Sequence, residues 1–199
     1  MKIVNLASGG LDSSLVTILA MEEGISVFPL FIDYGQRSAE MEWKACCEVH
    51  KKIKAPEPIR MDISGFGKVI HSGLTSDSLD VKQEAFTPGR NLLFLVTAAS
   101  YAYQLDINSI AIGLLSEQFS LFPDQRKDFL CNAEKTISIA LNRKMYVKLP
   151  LFDFSKADVI KLASQKGLTD TYSCHTGESN ACGKCIACLE FQNVNEKGD

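Results

Sequence analysis

The chain has 199 residues, 46% of them hydrophobic and 23% charged, a composition that supports a sizeable core and excludes a largely disordered protein. Single cores stop growing near about 250 residues, so this length allows one domain or one domain with a small appendage. The formal charge of -3, from 21 basic and 24 acidic residues, offers no overall attraction to a polyanion, so a nucleic-acid partner is not expected.

In chain order, Lys2 to Leu6 is a short apolar run ending at glycines. It carries one charge and is too short for a signal peptide. From Asp12 the positions Leu15, Ile18, Leu19 and Glu22 follow helical spacing, which gives strand, loop and helix. Ile25 to Ile32 predicts a second strand, closed by Asp33-Tyr34-Gly35, and Ser38 to Lys52 a second helix with Ser38 as N-cap. Pro58 to Met61 predicts a short third strand. Ser64 to Thr87, rich in Gly, Ser and Asp and without a clear period, reads as an insertion or a lid loop.

Asn91 to Leu105 predicts a largely buried helix through Leu92, Leu95, Val96, Ala99 and Tyr103, and Ser109 to Gly113 a strand. Asp124 to Leu141 predicts a helix, Val147 to Leu149 an edge strand closed by Pro150, and Ser155 a further helix start with the box-like spacing Ser155-x-x-Asp158. After Gly167 the periodicity stops. Strands alternating with helices imply an α/β fold with a parallel sheet covered on both faces, whose ligands sit beyond the carboxyl ends of the strands. Ser8 to Asp12 and Asp33 to Arg37 both fall at such ends. No segment reaches the about 18 uninterrupted apolar residues of a membrane span, and the expected location is cytoplasmic.

Ser8, Gly9, Gly10, Leu11, Asp12, Ser13 and Ser14 lie between an apolar strand and a helix. Two glycines let backbone amides approach an anion, the helix directs its positive end at the same point, and three hydroxyls add donors. The loop lacks the Gly-Lys-Ser/Thr ending of a Walker A motif and the three-glycine dinucleotide fingerprint, which disfavours P-loop phosphoryl transfer and hydride transfer. The competing reading is a glycine turn with Asp12 as helix cap.

The chain holds seven cysteines, an odd number that favours metal over disulfides in a reducing cytosol. Cys174, Cys182, Cys185 and Cys188 read C-x7-C-G-x-C-x2-C, and Gly183 permits the tight turn that aims thiolates at one ion. Four soft ligands suit tetrahedral zinc, with no position left for substrate, so the expected metal is structural Zn2+. An iron–sulfur cluster is the alternative. His175 reads as a bystander, and Cys46, Cys47 and Cys131 as small core residues.

The residues Ser8 to Ser14 resemble the pyrophosphate loop of the ATP-pyrophosphatase superfamily, which couples loss of pyrophosphate to adenylation of a substrate oxygen. With the four cysteines, Asp33-Tyr34-Gly35-Gln36-Arg37, Pro88-Gly89-Arg90-Asn91 and Phe122-Pro123-Asp124-Gln125-Arg126, the chain resembles the 7-cyano-7-deazaguanine synthase (QueC) family nearly end to end. The resemblance implies a Rossmann-like PP-loop fold of the adenine nucleotide alpha hydrolase kind over residues 1–167 and a zinc-binding region over 168–199. It implies conversion of 7-carboxy-7-deazaguanine to its nitrile with ATP and ammonia, through an adenylated carboxylate, an amide and an adenylated amide.

On that resemblance Asp12, Ser13, Lys156 and Arg126 are expected to be catalytic. Ser8 to Ser14 with Asp33 and Gln36 would hold the nucleotide. Arg90, Asn91, Glu117, Asp124 and Arg126 would bind substrate, the guanidinium forks of Arg90 and Arg126 matching carboxylate or phosphate. A solvated or structural role is the alternative for each arginine and for Lys156. Mg2+ is expected with ATP, without a dedicated motif, Asp12 being one contact through water. A homodimer is compatible with the resemblance.

Near residues 116–126 the family usually reads acidic-Asp-Tyr-Ser-Gly-Tyr-Pro-Asp-Cys-Arg, whereas this chain has Leu121 for glycine and Gln125 for cysteine. The Ser64 to Thr87 segment and the tail after Cys188 are also short. These departures motivate a second reading, a ligase that adenylates a 7-deazaguanine carboxylate and stops at an amide with another amine, including one on a protein acceptor. A tRNA-thiolating enzyme lacks the basic extension it would need here. A catalytically silent nucleotide sensor is the non-enzymatic alternative.

Overall fold

The computed structural model describes residues 1–196, and for the last two of these only the backbone. Residues 197–199, the end of the expected zinc-binding region, lie outside it. The strands are β1 (Lys2–Leu6), β2 (Ser26–Asp33), β3 (Ile59–Asp62), β4 (Ser109–Ala111) and β5 (Tyr146–Lys148). The helices are α1 (Leu11–Glu22), α2 (Ala39–Lys52), α3 (Arg90–Gln104), α4 (Lys127–Ala140), α5 (Lys156–Gln165) and α6 (Ile186–Glu196). No helix among the described residues is long and apolar enough to cross a membrane.

All strand pairings are parallel, in the order β3-β2-β1-β4-β5. The central strand β1 is the most deeply enclosed, and Val4 lies opposite Phe28 of β2 on one side and Ile110 of β4 on the other. The chain moves outward from β1 in one direction as far as β3 and then crosses back to β4. That reversal opens a crevice at the carboxyl end of β1, where ligands of doubly wound sheets bind. The loop from Ser8 occupies that place.

Two apolar layers cover the sheet. One packs α3 and α4 against it through Leu95, Ala98, Ala99, Ala102, Leu130 and Ile137. The other packs α1 and α5 through Leu11, Leu15, Val16, Val159 and Ala163. Under the loop, the buried Asn5 of β1 donates its Nδ2 to the Ser13 carbonyl at 3.1 Å and to Thr17 Oγ1 at 2.9 Å, which pins α1 to the central strand.

Several elements differ from expectation. Leu92, Val96 and Tyr103 are 39%, 44% and 45% exposed. The buried face of α3 is instead the narrow one of Leu95, Ala98, Ala99 and Ala102, whose small side chains let the helix lie close on the sheet. The helix expected from Asp124 begins at Lys127, after a 3-10 turn over Pro123–Gln125 and an extended Arg126. The Asp124 carbonyl accepts from Asn91 Nδ2 at 3.0 Å, so it is already paired outside α4.

Ser38 does not cap α2 through its side chain, because its hydroxyl donates to Glu42 at 2.7 Å. Cys46 is buried as expected, but Cys47 is only half-buried and Cys131 is exposed. Helix α6 lies where no periodicity is legible, since its buried positions include cysteine rather than a conventional apolar stripe. The Ser155–Asp158 box does form, with Asp158 N donating to Ser155 Oγ at 3.2 Å and Ser155 N to Asp158 Oδ2 at 2.9 Å. Ser64 to Thr87 folds as successive turns, and its Leu74, Val81 and Ala85 are buried against the cysteine-bearing tail.

Gly9 has φ +77°, and a Cβ there would stand 2.5 Å from the Glu42 carbonyl oxygen and 2.6 Å from the Cys46 nitrogen, both α2 backbone. Neither atom can rotate away. Gly9→Ala is therefore expected to cost roughly 3 kcal/mol of stability, read as a lower denaturant midpoint at unchanged slope.

Candidate active site

The loop folds on itself through its hydroxyls. Ser13 Oγ accepts from the Ser8 amide at 3.1 Å, lies 3.0 Å from Ser8 Oγ, and donates to the Gly10 carbonyl at 3.2 Å. The N-cap position of α1 is Gly10, which has no side chain to satisfy the first-turn amides. Those amides lack an intrahelical partner by the geometry of a helix start, so they face the crevice as donors for an anion.

Lys156, at the start of α5, reaches Asp12 at 2.9 and 3.0 Å. Its ammonium also lies 3.7 Å from Glu190 and 4.9 Å from the centre of the Phe191 ring, both on α6. The side chain of Lys156 is 13% exposed, so its charge sits largely out of bulk water against the Ser8 to Ser14 loop. The structure thus brings together Asp12, Ser13 and Lys156, which are 144 residues apart at their extremes.

A cavity of about 950 Å³ opens from this loop. Ser8, Gly10, Leu11, Asp12, Ser13 and Lys156 line one end, and Gln36, Arg90 and Asn91 are also on its wall. Arg90 Nη1 donates to the Tyr34 hydroxyl at 3.4 Å, and its guanidinium carbon lies 5.9 Å from the Tyr34 and Phe94 ring centres. Arg90 Nε is buried without a partner. An unpaired buried donor is costly, and a substrate oxyanion would supply the acceptor.

Other expected site residues have different positions. Gly9 touches α2 rather than the cavity, and Ser14 is buried with its hydroxyl unpartnered. Asp33 lies off the cavity wall, where its carboxylate accepts from Arg60 at 2.6 Å and from the Gly35 amide at 3.0 Å. Asp124 is buried, and its Oδ2 accepts from the Asn91 amide at 3.2 Å, so this pair ties α3 to the 123–125 turn. Glu117 and Arg126 are exposed and do not line the cavity.

Two wall residues went unassigned in the sequence. His175 follows Cys174 directly, yet its ring lines the cavity with a buried, unpartnered Nδ1. Burial, with help from the Arg90 and Lys156 charges, pushes its pKa down to about 4, so it is a neutral imidazole. Glu42 of α2 also lines the cavity, held by Gln36 Nε2 at 2.9 Å and Ser38 Oγ at 2.7 Å, and burial raises its pKa. The available signal for Glu42 was its place in the first turn of α2, the helix that follows β2.

The Sγ atoms of Cys174, Cys182, Cys185 and Cys188 all lie within 4.8 Å of one another. Thiolates about 2.3 Å from one ion would stand about 3.8 Å apart in a tetrahedron, and Cys182 and Cys188 are at 3.9 Å. The amides of Cys182, Cys185 and Cys188 each donate to the sulfur of the preceding cysteine at 3.4 Å. Burial pushes the Cys174 thiol up, but hydrogen bonds from Thr176 and Cys182 outweigh it and bring the group to about 6. Burial raises Cys185 and Cys188. A metal ion would supply the charge that lets all four ionise, so the donor set fits one.

Comparison with known proteins places this arrangement. The family model described as "Queuosine biosynthesis protein QueC" matches residues 2–197. The chain belongs to the QueC family. Its relatives include the 7-cyano-7-deazaguanine synthase of Picrophilus torridus, 35% identical over 100% of this chain and 89% of that protein. Those of Thermoplasma volcanium, 35% identical over 99% and 88%, and Campylobacter jejuni, 33% identical over 94% and 90%, bear the same name. Membership makes the chain an ATP-dependent enzyme that forms a carbon–nitrogen bond.

Solved structures share the fold alone. A 4-thiouridine synthetase in complex with RNA and bound ATP is 16% identical with a TM-score of 0.51, over 98% of this chain and 50% of that one. NMN synthetase from Francisella tularensis is 14% identical with a TM-score of 0.52, over 98% and 77%. The chain therefore has the PP-loop, adenine nucleotide alpha hydrolase-like fold.

Cys185 is fully buried. Cys185→Ser is expected to lower bound metal, measured by elemental analysis of the purified protein. Its thermal midpoint should drop by about 10 °C, as a loss of roughly 3 kcal/mol gives at about 3 °C per kcal/mol for a chain of this size.

Proposed function

We propose that the enzyme adenylates 7-carboxy-7-deazaguanine with ATP, replaces AMP by ammonia to give the amide, and adenylates and dehydrates that amide to 7-cyano-7-deazaguanine. The observation that carries this reading is the Asp12–Lys156 pair beside the open α1 amides, in the same cavity as the unpartnered Arg90 Nε. The names borne by the relatives support the substrate and product.

A carboxylate is a poor electrophile, and its ester with AMP supplies a leaving group. At the phosphate end, the α1 amides and Lys156 neutralise the departing pyrophosphate, while Asp12 holds the Lys156 side chain in place. Such fixed donors act without reorganising during the reaction. Arg90, buttressed by Tyr34 and Phe94, orients the substrate oxyanion through its free edge. Mg2+ accompanies ATP in this reading and shields its phosphates. Each adenylation consumes one ATP and removes one carboxylate oxygen as part of AMP, which leaves carbon bonded to nitrogen alone beyond the ring.

The four cysteines would hold Zn2+, whose role is to fix the tail, because four thiolates leave no position for water or substrate. The enzyme acts on small molecules in the cytoplasm.

Purified protein incubated with ATP, 7-carboxy-7-deazaguanine and ammonium is expected to yield the nitrile by mass spectrometry, with AMP formed twice per nitrile. An end point at the amide would shift the reading to an amide-forming ligase, and no AMP with this carboxylate would remove both. Asp12→Ala is expected to lower AMP formation about 100-fold while the protein stays folded and metal-loaded.

A further inference from the structure

An amine nucleophile arrives in neutral water as ammonium, which has no lone pair to attack with. It must be held near the acyl carbon and lose a proton there. The cavity wall contains three carboxylates among the described residues, Asp12, Glu42 and Glu190. Lys156 occupies two of them, at 2.9 Å from Asp12 and 3.7 Å from Glu190.

Glu42 is different. Its hydrogen-bond partners among the described residues are neutral, with Ser38 Oγ donating to one oxygen at 2.7 Å and Gln36 Nε2 to the other at 2.9 Å. No cation among the described residues lies within salt-bridge distance of it, although Arg90 acts on it from farther away. Each carboxylate oxygen keeps a further acceptor site. Gln36 cannot turn aside, because its Oε1 accepts from the Tyr34 amide at 2.9 Å. The half-buried carboxylate is thus held by fixed donors on the wall of the cavity. A carboxylate that is largely withdrawn from water and has only neutral partners gains from an entering cation.

We infer that Glu42 is the catalytic residue that binds ammonium in this cavity and takes its proton. The assignment rests on the amine-transfer reading proposed above. One ammonium proton passes to a Glu42 oxygen, and the freed nitrogen lone pair forms the bond to the acyl carbon. The bond from that carbon to the AMP oxygen then breaks, its electron pair leaving with AMP. The second surplus nitrogen proton goes to water, as does the Glu42 proton before the next turnover. Burial, which makes the Glu42 carboxylate a better base than an exposed one, acts in the same direction.

The competing role is recognition of the adenine amino group, which would also donate to this carboxylate. Steady-state kinetics of Glu42→Gln separate the two. We expect the KM for ammonium to rise about 100-fold, well beyond any change in the KM for ATP. Hydroxylamine, an amine already uncharged at neutral pH, should form the hydroxamate at a rate within about threefold of the unsubstituted enzyme. Glu42→Asp, which keeps the charge, should recover most of the ammonium dependence, and matching thermal midpoints exclude misfolding as the cause.

An unchanged ammonium KM, an equal rise in the KM for ATP, or an equal loss with hydroxylamine overturns the assignment. Absence of AMP with the unsubstituted enzyme would instead remove the amine-transfer reading on which the assignment rests.

Discussion

The contact between Gly9 and the backbone of α2 sets the loop end of the cavity. On one side Gly9 lies against the Glu42 carbonyl and the Cys46 nitrogen, at distances that leave no room for a Cβ. On the other its own carbonyl accepts from the Tyr172 amide at 3.0 Å, two residues before the first cysteine of the four-cysteine tail. The loop is therefore clamped between a helix of the sheet domain and the tail. Gly10, the next residue, faces Ser173 Oγ and the Tyr172 carbonyl, so the tail packs along two successive loop residues. The first turn of α1 inherits its direction from this clamp.

The same clamp explains why the cysteine tail forms part of the cavity although a metal on it would have no open coordination position. His175 and α6 residues such as Ala187 and Glu190 line the cavity, and Leu74 and Ala85 from the irregular 64–87 segment line it from their contact with the tail. The two segments share one small apolar cluster. A metal at the four thiolates would fix both, and through them Glu190 and Phe191 beside Lys156. Lys156 is thereby held between the loop and the tail, with its partner Asp12 on one element and its carboxylate and aromatic neighbours on another.

The sheet domain was legible in the sequence because its signals are local. The alternation of short apolar runs with helical spacing gives the parallel sheet, and the Ser8 to Ser14 loop and the cysteine spacing are each contained within a few residues. What was not legible depends on long-range packing. The narrow buried face of α3 follows from alanines lying close on the sheet, which the larger Leu92 and Val96 obscure. The delayed start of α4 follows from a hydrogen bond between Asn91 and Asp124, 33 residues apart. His175 and Glu42 look ordinary in sequence, the one beside a ligand and the other on a polar helix start. Only the fold turns both toward the cavity.

The departures at 121 and 125 acquire a physical meaning from the backbone. Leu121 is not among the residues with positive φ, so this turn makes no conformational demand for the glycine usual in the family. Gln125 Oε1 accepts from the Leu121 and Phe122 amides at 2.8 and 3.0 Å, a task that needs a carbonyl acceptor on a side chain of that length. The two changes are thus coupled: glutamine builds the turn from inside, and the turn presents Leu121 on the cavity wall while it remains 56% exposed. They alter the polarity of the wall away from the loop and leave the Asp12–Lys156 end untouched. The shape and polarity of this wall can therefore change without disturbing the clamp on the Ser8 to Ser14 loop.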